Sequence, residues 1–100
     1  MLYVIHALDK PGRTQTRLDN YADHKSYISS ASIKTLVSGP LLDDDGETMI
    51  GSFFLVEADS REDVIRFNAA DPFARIGLWQ SVSIHAFNKR VDNRATDAAS

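Results

Sequence analysis

The spacing of apolar and polar positions changes repeatedly along the chain, and each change predicts an element. Leu2 to Leu8 is a run of β-branched and aromatic types closed by the turn residues Pro11 and Gly12, which predicts a first strand. Its high apolar content suits a central, two-sided place in a sheet. From about Thr16 to Ile33 the period becomes helical, with Leu18, Tyr21, Ala22, Ile28 and Ala31 on one stripe and His24 and Tyr27 at its edge. Thr35 to Leu42 reads as a second strand, with Gly39 and Pro40 predicting a bend or fraying. An acidic turn, Asp43 to Glu47, leads into a third strand over Met49 to Ala58, so these two strands form an antiparallel hairpin.

Ser60 followed by Asp63 resembles a capping box, and a second helix starts at about Arg61 with Val64, Ile65 and Phe67 as its apolar side. Pro72 disfavours helical geometry in the residue before it and ends this helix near Ala70; Phe73 to Gly77 adds one further turn. Trp79 to Phe87 alternates, Val82, Ile84 and Ala86 against Ser81, Ser83, His85 and Phe87, as a half-buried last strand does. The order is strand, helix, strand, strand, helix, strand, the ferredoxin-like βαββαβ arrangement of the α+β class. Both helices then cover one sheet face. The other face carries Phe and Ile side chains that no further element covers, which predicts a homodimer built sheet to sheet.

One hundred residues with 43% apolar and 25% charged positions make a single ordinary globular domain, placed over residues 1–89, with a loose polar tail over residues 90–100. The net charge of -3 gives no footprint for nucleic acid or for an anionic membrane. Without cysteine there is no disulfide, no thiolate zinc site and no thiol nucleophile. The opening MLYVIHALDK has no basic region before it and is too short to span a bilayer, so the expected location is cytoplasmic.

The candidate chemistry lies in two distant segments, TRLDNYADHKSYI with His24 and NAADPFARIGLW with Asp71. Brought together they would form an acid-base dyad, an imidazole whose tautomer a carboxylate fixes. A carboxylate at a helix C-terminus faces the negative end of the macrodipole at a cost on the order of 0.3–1 kcal/mol, so Asp71 calls for a compensating partner. Asp-Pro is also a good helix terminator whose side chain bonds nearby backbone N–H groups. Gly39 would allow close approach to the backbone and Ser38 offers a hydroxyl, though a bulge at a sheet edge accounts for both equally well. His6, His24 and His85 fall on different elements without an HxH or HxxxH pairing, so no metal site is expected; the DDDGE turn lacks the spaced oxygens of a calcium loop. Tyr21, Tyr27, Phe73 and Trp79 either line a pocket beside the dyad or fill the core.

MLYVIHALDK, RLDNYADHKSYI, SGPLL and DPFARIGLW followed by VSIHAFNK together resemble the YCII-related (YciI-like) family over roughly nine-tenths of the chain. The resemblance implies a dimeric α+β barrel and an active site around a His and an Asp, which fall here at His24 and Asp71. Arg17 stands where relatives carry a basic residue ahead of the His, and Ser38, Gly39 and Pro40 match the family's Gly-Pro element. One relative removes halide from a hydroxylated aromatic ring. The expectation is therefore a small dimeric enzyme without metal or organic cofactor. In it His24 is the general acid-base, Asp71 orients it, and Arg17, Ser38, Gly39 and Pro40 bind a small aromatic or carboxylic metabolite. The competing expectation is a non-catalytic module that uses the same pocket to hold a ligand.

Overall fold

The structure is a computed structural model that describes residues 1–94, so the end of the expected tail, residues 95–100, lies outside the described residues. The elements run β1 (Leu2–Asp9), α1 (Thr14–Asp19), α2 (Tyr21–Ser30), β2 (Lys34–Leu42), β3 (Met49–Glu57), α3 (Arg61–Ala69), α4 (Pro72–Arg75) and β4 (Trp79–Phe87). The strands form one antiparallel sheet in the order β2-β3-β1-β4, the ferredoxin-like α+β arrangement that the pattern predicted.

The register decides which side chains meet the helices. Tyr3, Ile5 and Ala7 of β1 stand opposite Val56, Phe54 and Ser52 of β3, and all six are buried. The alternate set, Val4 and His6 opposite Leu55 and Phe53, points to the other face because side chains alternate along a strand. Val64 and Phe67 of α3, Phe73 of α4, Leu78 and Trp79 close the core over the first set.

Local chemistry explains most boundaries. The Ser60 hydroxyl accepts the Asp63 N–H at 3.2 Å and starts α3, as expected of the capping box. Gly77 takes φ 71° and ends the turn after α4, a conformation costly for residues with a Cβ. At the hairpin tip the Asp45 carboxylate accepts the Thr48 hydroxyl first, then the N–H groups of Thr48 and Glu47, which keeps its pKa below the ordinary value.

Several expectations need correction. The helix expected over Thr16–Ile33 is two helices, because Asn20 turns its Nδ2 back to the Thr16 carbonyl at 2.8 Å and closes α1 before α2 begins. Of its stripe, Tyr21, Ile28 and Ala31 pack against the core while Leu18 and Ala22 are exposed, and the buried residues of these helices are Arg17 and His24. β2 runs unbroken through Gly39 and Pro40, and its irregularities fall between Thr35 and Val37 and between Leu41 and Leu42. An edge strand has one side without a ladder, where proline's missing N–H costs nothing. Ile65 is exposed on α3, and on β4 only Trp79 is buried while Val82 and Ala86 are exposed, since β4 is the opposite edge. The second sheet face is not wholly bare: Lys89, Val91, Asp92 and Arg94 border a hollow there with Val4, Leu55 and Phe87. Asp92 pairs with Lys89 at 3.3 Å and with Arg94 at 3.0 Å. Among the described residues no helix is long and apolar enough to cross a membrane.

Candidate active site

His24 sits in the first turns of α2, its N–H bonded to the Asn20 carbonyl at 3.1 Å. Asp71 lies in the joint between α3 and α4. The chain folds there because Pro72 supplies a preset φ at the first position of α4, and the Asp71 carboxylate accepts the Phe73 N–H at 2.9 Å as its N-cap. The dipole argument therefore changes sign. Asp71 faces the N-terminal end of a short helical turn, where a carboxylate is favoured.

The two side chains meet across 47 positions of sequence, with His24 Nδ1 at 2.9 Å from each Asp71 oxygen. Asp71 is almost fully buried and His24 nearly so. A carboxylate accepts hydrogen bonds, so the neutral ring carries its proton on Nδ1 and leaves the Nε2 lone pair unoccupied. Aromatic neighbours fix the ring plane: Phe73 stacks on it at 4.2 Å and 12°, Tyr21 lies at 6.2 Å, and Phe54 meets it edge-on at 5.8 Å. The negative charge of Asp71 also reaches Tyr27. Burial first and that charge second raise the phenol above its ordinary 10.0, and its O–H donates to the Phe67 carbonyl at 2.7 Å.

Arg17 was expected to bind a ligand. It is 1% exposed and its guanidinium grips Asp9 in a fork, Nε to one oxygen at 2.7 Å and Nη2 to the other at 2.8 Å. Nη2 also donates to the Ser52 hydroxyl at 2.9 Å, and the guanidinium carbon lies 4.6 Å from the centre of the Phe73 ring.

A cavity of about 300 Å³ is bordered by Arg17, His24, Ser38, Gly39, Pro40 and Ser52, so five of the six sequence-derived candidates share one wall and Asp71 stands behind His24. That volume is at the lower end for a small-molecule site, about 300–1,000 Å³. A Cβ on Gly39 would meet nothing within 4 Å, so packing does not demand the glycine; it keeps this side of the hollow open. A larger groove of about 720 Å³ near Ile33, Asp59 and Arg66 contains neither His24 nor Asp71. Among the described residues no group of three or more His, Asp or Glu side chains is assembled to hold a metal ion, and His6 and His85 are exposed on their strands.

Ser52, Tyr21 and Lys25 also line the cavity and Asp9 stands behind Arg17; Lys25 extends its ammonium over the Tyr21 ring at 5.6 Å. Sequence reading passed over Asp9, Ser52 and Lys25. The available signal was phase: Ser52 alternates with Phe54 and Val56, which places a hydroxyl on the helix-covered face.

The YCII-related domain model matches residues 1–88. The chain belongs to the YCII-related family. It is similar to 5-chloro-2-hydroxyhydroquinone dehydrochlorinase from Burkholderia phenoliruptrix AC1100, solved in complex with 2,5-dihydroxybenzoquinone, at 36% identity and a TM-score of 0.79 over 88% of this chain and 94% of that one. Fold alone is shared with an antibiotic biosynthesis monooxygenase (15% identity, TM-score 0.57, 91% and 100% covered). The same holds for a NIPSNAP domain protein from Burkholderia xenovorans (14%, 0.52, 90% and 95%). No curated protein sequence is detectably similar to this one.

Proposed function

We propose that this YCII-related protein is a cofactor-independent enzyme that uses His24 as general acid-base and Asp71 as its orienting partner on a small hydroxylated aromatic metabolite. The observation that carries the reading is the division of labour within one ring: Nδ1 is held by the carboxylate at 2.9 Å while the same ring borders the cavity. A site that only held a ligand would need the hollow but no buried carboxylate behind the imidazole. The likeness to a dehydrochlorinase favours elimination over isomerisation or hydrolysis. In that step a substrate O–H or C–H bond gives its proton to Nε2. Its electron pair moves into the ring, and the leaving group departs with the electrons of its own bond. Net loss of an acid balances the equation with no external oxidant.

Chloride release from a chlorinated hydroxyhydroquinone tests this. Turnover by the wild-type protein that falls about 10²–10⁴-fold in His24→Gln supports the reading, since that is the usual contribution of general acid-base catalysis. Undiminished release by His24→Gln removes the residue from the mechanism.

The same reading includes a homodimer. Val4, Leu55, Phe53, Val37 and Phe87 give the second sheet face an apolar centre that a second copy would cover around a two-fold axis. Sedimentation of Phe53→Glu as a monomer, against a dimeric wild type, is the expected result; a monomeric wild type contradicts it.

A further inference from the structure

Besides the imidazole, Arg17 and Ser52 line the cavity with polar side chains, and Asp9 backs Arg17. Asp9, Arg17 and Ser52 are linked in series there, with side-chain exposures of 5% for Asp9 and 1% for Arg17, and Ser52 only 2% exposed as a residue. Arg17 needs only Asp9 for neutrality, yet it spends part of Nη2 on a serine hydroxyl at 2.9 Å. That bond fills an acceptor site on Oγ and leaves the Ser52 hydrogen, for which no described residue serves as acceptor. A hydroxyl that accepts from a cation is polarised into a stronger donor. Here it borders the cavity.

Resting on the proposed function above, we propose that Ser52, polarised by Arg17, is the ligand-contacting donor that receives an anionic oxygen of the substrate, a phenolate or enolate, while Arg17 acts as a positioning residue. The spacing suits one ring. Ser52 and Phe54 lie on the same face of β3, about 7 Å apart along the strand, and Phe54 is the residue that touches the His24 ring edge-on. A monocyclic ligand can therefore present one oxygen to Ser52 and a proton-bearing group to His24. Asp9 cancels the charge of Arg17, so the wall favours a singly charged, hydrogen-bonding oxygen over a phosphate or a sulfate.

Calorimetric titration with 2,5-dihydroxybenzoquinone and with its dimethyl ether, which has no ionisable hydroxyl, tests the assignment. Ser52→Ala is expected to weaken the dihydroxy ligand about ten- to a hundredfold, the usual range for a hydrogen bond to a charged group, and to leave the ether nearly unchanged. Ser52→Cys, similar in size but a weak donor, gives the same loss of discrimination should Ser52→Ala not fold. Arg17→Lys keeps the charge, loses the fork, and lowers the ratio of the two affinities, which a purely structural role would not move. Equal weakening of both ligands in the Ser52 variants, or unchanged affinity for both, overturns the role of Ser52. Failure of the wild-type protein to bind either quinone overturns instead the reading of the cavity as a site for oxygenated rings.

Discussion

Arg17 and His24 are each buried on the α1–α2 pair, rest against the Phe73 ring and meet a buried carboxylate, yet only one of them can change its charge. The guanidinium stays protonated throughout the range in which proteins fold, and its fork matches both Asp9 oxygens. The imidazole offers a single nitrogen to both Asp71 oxygens, and its ring borders the cavity. On the proposed reading, similar surroundings serve two ends, a fixed charge beside the cavity and a ring that moves a proton. Residue chemistry, not burial, distinguishes them.

Breaking each pair should separate the two roles. The largest expected effect is on catalysis: His24→Gln and Asp71→Asn each lose turnover, about 10²–10⁴-fold for the histidine, with the fold retained by circular dichroism. In Asp71→Asn the amide still caps α4 through its oxygen, so the loss reports the tautomer and not the turn. Next comes stability. Arg17→Met strands a buried Asp9 and is expected to cost about 3–5 kcal/mol in denaturant unfolding, and the Asp9→Leu/Arg17→Met double variant regains much of it. His24→Gln, which leaves Asp71 its Phe73 N–H, should cost about 1–3 kcal/mol. Equal costs for the two pairs would contradict the distinction.

The smallest effect is a titration. Because the Tyr27 phenol is raised by burial and then by Asp71, its contribution to stability is complete below its ordinary 10.0 and is lost as pH climbs from there through the folded value. Asp71→Asn removes the second cause. Tyr27 ionisation followed by carbon NMR should shift downward in that variant; no shift would mean that Asp71 does not carry its charge.

How much of this could be read beforehand depended on range. The hairpin over β2 and β3 and the Ser60 cap of α3 rest on neighbouring residues, and both were legible. The break at Asn20 was not, because a continuing apolar stripe masked a side chain that bonds its own helix. For Asp71 the Pro72 that ends one helix was noticed, but proline at a first helical position equally announces the next, and that reading gives the dipole its opposite sign. Arg17 was placed at the cavity but not in its ion pair, since nothing in a one-dimensional pattern shows that Asp9, at the end of β1, turns toward it. Burial of polar residues depends on partners distant in sequence, which periodicity cannot supply.

Nitrogen NMR of the His24 ring, with the imidazole neutral, tests the central claim most directly. The account predicts a proton on Nδ1, a bare Nε2, and a ligand titration with 2,5-dihydroxybenzoquinone that moves the Nε2 resonance far more than Nδ1. A proton resident on Nε2, or ligand binding that leaves both resonances in place, would contradict it.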